Sequence, residues 1–317
     1  MKEVNEIRID CIERKVIIAE KRRKRPHISK EKEICPFCPG NEHLTPPEIL
    51  KVPKKNWKVR IIPNKYPALS REARGKEMEN SNCFKVLPPF GYHEILIETE
   101  KHGTDYYGLE VKDIELALKI TRRRYRELKK IEGISYVSIF KNFGKEAGES
   151  IRHSHLQILA SSIFPKRIRE RMLKLEKFFE SNKSCGICRA IEQEKKDKKR
   201  IIYENKDWIA YCPFVSTFPY SFDIIPKRHV SDMEELKSKE LHSLALTLKK
   251  TFSALKKVLG DLYTYNILYN NFPKAEFFHF YLSVYPRITE IAGAELFGLY
   301  INIKSPEKAA KELRRYI

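Results

Sequence analysis

The chain has 317 residues, of which 42% are hydrophobic and 11% aromatic, enough for two ordinary domains or one large one around a substantial core. It has no apolar run of about 18 residues, which excludes a spanning helix, and its N-terminus, MKEVNEIRIDCIERK, lacks the apolar stretch of a signal peptide; a cytoplasmic protein with no membrane partner is expected. The net charge of +20 (62 Lys+Arg against 42 Asp+Glu) is interspersed with Glu, as in KSKELHSLALTLKK, so it reads as solvated helix faces and by itself selects neither nucleic acid nor phosphorylated small molecules.

Taken in chain order, Cys35-Pro-Phe-Cys38 is followed by an alternating strand WKVRIIP at 57–63 and another, HEILIET, at 93–99, which leads to His102. An amphipathic helix is predicted over 110–130, then the strand YVSIF at 136–140, a small-residue loop containing Gly144, Gly148 and Ser150, and the strand HLQILA at 155–160. A basic helix near 165–182 leads to a second series, with the loop EKKDKKR inside it at 194–200. That series runs Cys185-Gly-Ile-Cys188, WIAYC, FDIIP ending in PKRH at His229, a helix over 232–259, YNILY, and HFYLSVYPR starting at His279.

The second series repeats the first. Trp57 follows Cys38 by 19 residues and Trp208 follows Cys188 by 20, and a leucine stands seven residues after each strand-ending histidine, at Leu109 and Leu236. The reading is a duplicated α+β unit, with antiparallel sheets flanked by helices, because the connections are short and helices too few for a parallel sheet. The halves are 1–164 and 165–317. An insertion of roughly two dozen residues precedes His102 in the first half only.

Seven cysteines, four of them in two C-x-x-C pairs, favour metal over disulfides in a chain without a secretory signal. Each half offers four zinc ligands: Cys35, Cys38, His102 and His153 in the first, Cys185, Cys188, His229 and His279 in the second. With all four positions taken by protein, such zincs are structural, about two ions per chain. Zinc ribbons, fortuitous cysteines and a thioredoxin-like pair are the competing readings.

Chemistry must then sit elsewhere. In a strand, His153, His155 and Gln157 share one face. With His153 tied to zinc, His155 is presented at a fixed place as a nucleophile toward phosphorus, and Gln157 has an amide for a phosphoryl oxygen. The loop at Gly144, Gly148 and Ser150 has backbone N–H groups suited to phosphates. The second half has His279, Tyr281 and Ser283 in the same row, so it keeps the metal histidine and lacks the nucleophile. The alternative is that His153 and His155 both bind zinc.

These residues, with RRKRP (22–26), CPFCPGNE (35–42), PNKYPAL (63–69), KNFGKEAGESIRHSHLQ (141–157) and HFYLSVYP (279–286), resemble the galactose-1-phosphate uridylyltransferase family of the histidine-triad superfamily across nearly the whole chain. The resemblance implies two tandem histidine-triad-like units in one subunit, the first catalytic and the second degenerate, working as a homodimer. It implies His155 as nucleophile, His153 as zinc ligand and Gln157 as the group steadying a nucleotidyl intermediate. By the same resemblance Arg22, Asn142 and Ser150 contact phosphates and Asn64 lies in the nucleotide pocket. The implied reaction is ping-pong: a UDP-hexose gives up hexose 1-phosphate, and UMP then passes from the histidine to galactose 1-phosphate. The H-S-H form at 153–155 and the run Asn64-x-Tyr66-Pro-Ala-Leu look more like the ADP-glucose phosphorylase branch. An ADP-sugar or dinucleotide phosphorylase using phosphate is therefore the enzymatic alternative. A non-enzymatic zinc module binding nucleic acid, stacking bases on Tyr106, Tyr107 and the run 277–281, is the alternative from another class.

Overall fold

The computed structural model of the protein describes residues 5–24, 34–75 and 78–317. Its strands are β1 (Glu6–Asp10), β2 (Lys15–Ile18), β3 (Leu50–Val52), β4 (Val59–Pro63), β5 (Glu79–Asn80), β6 (Phe84–Leu87), β7 (Gly91–Ile97), β8 (Tyr136–Phe143), β9 (His155–Ser161), β10 (Ile201–Glu204), β11 (Trp208–Tyr211), β12 (Phe222–Pro226), β13 (Tyr265–Asn270) and β14 (Tyr281–Pro286). Its α-helices are α1 (Val111–Lys129), α2 (Lys166–Asn182), α3 (Gly186–Asp197), α4 (Ser238–Leu259), α5 (Gly293–Leu296) and α6 (Pro306–Arg314). No helix among the described residues is long and apolar enough to cross a membrane.

The chain forms two compact units. The first runs to His102 and takes in Arg123–Ile139 and Ser150–Pro165; the second takes Gly103–Arg122, Phe140–Glu149 and Lys166–Ile317. The segments 103–122 and 140–149 thus group with the later part of the chain.

In the first unit, β3, β4, β7 and β9 lie in that order, every pair antiparallel. Leu156, Ile158 and Ala160 on one face of β9 are fully buried, which fixes the strand and turns His155 and Gln157 to the other face. That second face meets a cluster of Phe37, Trp57, Ile62, Ile95 and Ile97, against which Cys35 and Ile151 pack. The loop of Cys35 and Phe37 is therefore part of the core that carries β9. Gly91 opens β7 where the strands come closest: a Cβ there would stand 2.2 Å from the Ala160 carbonyl oxygen, so only glycine fits.

In the second unit, β10, β11, β12, β14 and β13 lie in that order, again all antiparallel. The order β3-β4-β7-β9 recurs as β10-β11-β12-β14, as a duplicated unit requires. Ile191, Ile209, Tyr211, Ile225 and Tyr281 form the matching cluster, with Ile187 of the C-x-x-C turn packed against it. The duplicated α+β reading with antiparallel sheets is the observed architecture.

Three elements differ from expectation. The helix expected over 232–259 begins at Ser238; before it, Met233–Glu235 form one 3-10 turn capped by Asp232, and Leu236 is extended. Glu235 and Glu240 each accept a backbone N–H three residues back, at Asp232 and Lys237, so two caps in series break the helix. Residues 194–197, expected in a loop, are the last turn of α3, which ends at Lys198 in a left-handed conformation. Strands β2, β1, β6 and β5 form a separate four-stranded sheet, with Ile7 opposite Leu87. The insertion before His102 supplies β5 and β6 of that sheet.

Candidate active site and metal centres

In the first unit the ligand atoms of Cys35, Cys38, His102 and His153 all lie within 4.8 Å of one another. Cys35 Sγ is 3.6 Å from His153 Nδ1, and Cys38 Sγ is 3.4 Å from His102 Nδ1 and 3.7 Å from His153 Nδ1. Zinc bond lengths to sulfur and nitrogen give a tetrahedron with edges of roughly 3.3–3.8 Å, which these spacings match. His153 Nε2 donates to the Thr99 carbonyl at 2.8 Å, which leaves the Nδ1 lone pair for the metal. Burial pushes the His153 imidazolium down to about 4, so near neutral pH the ring is in its ligating form.

The second unit repeats the arrangement with Cys185, Cys188, His229 and His279, again within 4.8 Å. Cys188 Sγ is 3.4 Å from Nδ1 of both His229 and His279. His279 Nε2 donates to the Pro226 carbonyl at 2.9 Å, the counterpart of the His153–Thr99 bond. The Cys185 thiol is held far below its usual range, chiefly by the hydrogen bond from the neighbouring Cys188 thiol. Both donor sets fit zinc. Filled by four side chains, each would lack an open position, so zinc there would supply structure.

His155 stands two residues beyond His153, at the start of β9, and is buried. Its Nδ1 lies 2.7 Å from the His153 carbonyl oxygen and must donate to it, which puts the lone pair of the neutral ring on Nε2. The edge of the Phe37 ring, between the two cysteines, packs on His155 at 5.4 Å. His155 lines a cleft of about 400 Å³ together with Gln157, Asn64, Lys65 and Ser150 on its polar side. Phe37, Ile62, Ile95 and Ile151 line its apolar side. Such a volume is in the range of small-molecule sites.

The remaining expected residues are placed as follows. Ser154 faces away from His155 and donates to buried Glu98 at 2.8 Å. Arg22 donates Nη1 to the Tyr66 carbonyl at 2.6 Å and does not line the cleft; residues 25 and 26 of its basic run lie outside the described residues. Asn64 accepts the Tyr66 N–H at 2.8 Å through Oδ1. Asn142 belongs to the second unit, where its Oδ1 accepts from Asn266 at 2.9 Å. In the same unit the N–H of Gly144 donates to Glu149 at 2.7 Å, and those of Ala147, Gly148 and Glu149 donate within the loop. That loop spends those four N–H groups on itself. In the row of the second unit, Tyr281 stands where His155 stands in the first and is buried in the apolar cluster. Tyr106, Phe278, Phe280 and Tyr281, which a base-stacking surface would need exposed, are core residues.

The sequence reading gave no role to His43, Thr45 and Lys65, which line the cleft, or to His93, which stands against Gln157. His93 Nε2 is 3.0 Å from Gln157 Oε1 and its Nδ1 is 3.1 Å from the Ala68 backbone nitrogen. Its only sequence signal is its place in the alternation His93, Ile95, Ile97.

The family described as galactose-1-phosphate uridyl transferase, N-terminal domain, matches residues 3–165, and the HIT domain matches residues 194–281. The chain belongs to the galactose-1-phosphate uridylyltransferase family. It is 31% identical to an ADP-glucose phosphorylase of Arabidopsis thaliana over 98% of this chain and 92% of that protein. It is 30% identical to a galactose-1-phosphate uridylyltransferase of Thermotoga maritima over 94% of each. A solved uridylyltransferase structure superposes with a TM-score of 0.83 at 29% identity, covering 98% of both chains. The protein is thus a nucleotidyltransferase by family.

Proposed function

We propose that His155 is the nucleophile of a ping-pong nucleotidyl transfer from a nucleoside diphosphate sugar. The observation that carries this is the Nδ1–H bond from His155 to the His153 carbonyl, which holds the Nε2 lone pair in the cleft. In the first half-reaction Nε2 attacks the phosphorus next to the nucleoside. The N–P bond forms, the bond to the bridging oxygen breaks, and hexose 1-phosphate leaves with the electron pair. The ring gains positive charge as it does so, and its Nδ1–H bond to the carbonyl strengthens. Gln157, Asn64 and Ser150 donate to phosphoryl oxygens. In the second half-reaction a phosphate oxygen of a sugar 1-phosphate attacks the same phosphorus, and His155 is released unchanged. Arg22 holds the loop at Tyr66.

On this reading residues 1–164 are the catalytic histidine-triad-like half and residues 165–317 the degenerate one. Zinc is held by Cys35, Cys38, His102 and His153, and by Cys185, Cys188, His229 and His279, where it would brace the fold. Seven free cysteines, four of them ligands, suit the reducing cytoplasm. The working form is a homodimer: Leu296, Phe297, Leu299, Ile301 and Ile303 are exposed on one short segment, Phe297 to 90%, and a second copy of the chain covers them. Sedimentation at micromolar concentration is expected to give twice the chain mass of 37.4 kDa, and Phe297→Asp to shift it toward the monomer. A monomer in the unsubstituted protein would refute the dimer.

The mechanism requires exchange in the absence of an acceptor. Labelled glucose 1-phosphate should enter UDP-glucose with enzyme alone, because a covalent intermediate completes the half-reaction and direct displacement cannot. The labelled protein should be acid-labile and base-stable, as a phosphoramidate is. Ser154 between the two histidines, and the 31% identity to the phosphorylase, favour a second reading in which inorganic phosphate is the acceptor. That reading gains the assignment if ADP-glucose alone supports exchange and phosphate releases ADP. Absence of exchange with either nucleotide sugar would sink the covalent mechanism.

A further inference from the structure

We propose that His93 is a positioning residue for this transfer, fixing which end of the Gln157 side-chain amide faces the reacting phosphoryl group. The inference rests on the roles of His155 and Gln157 argued above. In the register of β7 against β9, Ile95 stands opposite Gln157 and His93 opposite Leu159. Alternation therefore puts His93 on the face of Gln157, one diagonal step away, within reach of a long side chain.

The ring is buried, and its two nitrogens have different partners. Nδ1 meets the backbone N–H of Ala68 at 3.1 Å and Arg22 Nη1 at 3.3 Å. Both groups only donate, so Nδ1 carries the lone pair and the proton of the neutral ring sits on Nε2. From there it is donated to Gln157 Oε1 at 3.0 Å. An amide whose oxygen is held in this way has its N–H groups left to offer, and Gln157 lines the cleft. Asn64 Oδ1 is held by the Tyr66 N–H, so its Nδ2 is also a donor, and its 3.2 Å approach to His93 Nε2 is a contact between two donors, with Gln157 Oε1 the acceptor beside them. Without the His93 donor, the Gln157 amide is free to turn over. Its carbonyl oxygen would then face a phosphoryl oxygen, replacing an attraction with a repulsion at the atom that gains charge.

The test uses two substitutions of similar polarity. In His93→Asn the shorter side chain still accepts from Ala68 but does not reach Gln157; in His93→Gln an amide N–H reaches the place of the imidazole Nε2. The readouts are the single-turnover rate of protein labelling by the nucleotide sugar, its Kd, zinc content and Tm. His93→Asn should slow labelling about 10- to 100-fold with Kd changed less than about 3-fold, since the lost orientation matters most in the transition state. His93→Gln should recover most of that rate. In a Gln157→Ala background His93→Asn should have no further effect, because a group acting only through Gln157 has nothing left to orient. If the two substitutions multiply in the double variant, or if His93→Gln is as slow as His93→Asn at unchanged Tm, this inference is overturned and the role of Gln157 stands. If Gln157→Ala alone labels as fast as the unsubstituted protein, the role of Gln157 falls and the inference with it.

Discussion

Replacing His155 with alanine is expected to lower nucleotidyl transfer by about 10⁴-fold or more, since the imidazole proposed to carry the covalent intermediate is removed. The same variant should keep both zincs and fold normally. His155 Nδ1 is committed to the His153 carbonyl, and His153 reaches the cysteines through its own Nδ1, so the two rings have separate tasks although they are two residues apart. Loss of the imidazole leaves a cavity beside Phe37, which should cost stability on the order of 1–3 kcal/mol. Metal analysis, labelling by nucleotide sugar and thermal melting on one preparation separate these effects. Loss of one zinc equivalent in His155→Ala would mean that His155 is a ligand. Retention of transfer within about 10-fold would mean that the nucleophile is elsewhere, and Ser150, which also lines the cleft, would be the next residue to test.

Much of this arrangement could be read from the chain because it is written twice. The strands next to the candidate ligands alternate clearly, and the order C-x-x-C, Trp, strand-end His, helix, H-x-H recurs in a degenerate form that keeps His279 and has Tyr281 at the place of His155. What could not be read depends on contacts far apart in sequence. Strand β1 finds β6 nearly eighty residues away, and β5 is two residues long, so no local pattern announces that sheet. His93 looks like one more residue of a half-buried strand until the β7–β9 register sets it beside Gln157. The run EKKD reads as part of a loop, yet Ile191 and Glu194, one turn apart on the inner face, are buried and hold the helix down. The Gly144 loop had the composition of a phosphate cradle, but Glu149 already occupies its first N–H.

The second metal centre makes the largest stability prediction. Cys185 caps α3 and Cys188 lies in its first turn, His229 follows β12, and His279 precedes β14. The centre therefore ties a helix to two neighbouring strands of the second unit. His279 is fully buried and Cys185 nearly so, so substitution leaves polar groups with no route to water. Structural zinc contributes about 10–16 kcal/mol to binding and folding in small zinc peptides, which is as large as the whole net stability of an ordinary domain. Cys185→Ser or His279→Ala should therefore reduce zinc from two per chain to one and lower Tm by more than about 10 °C. On the fraction that remains folded, transfer should persist, because Tyr281 stands in this unit at the place of His155, the residue proposed as nucleophile. Chelation should follow the same order in reverse. His102 of the first centre is exposed while both outer ligands of the second are half-buried or buried, so EDTA should take the first zinc sooner. A Cys185→Ser protein that melts within about 2 °C of the unsubstituted one, with one zinc bound in both, would show that the second Cys2His2 group is not a metal site.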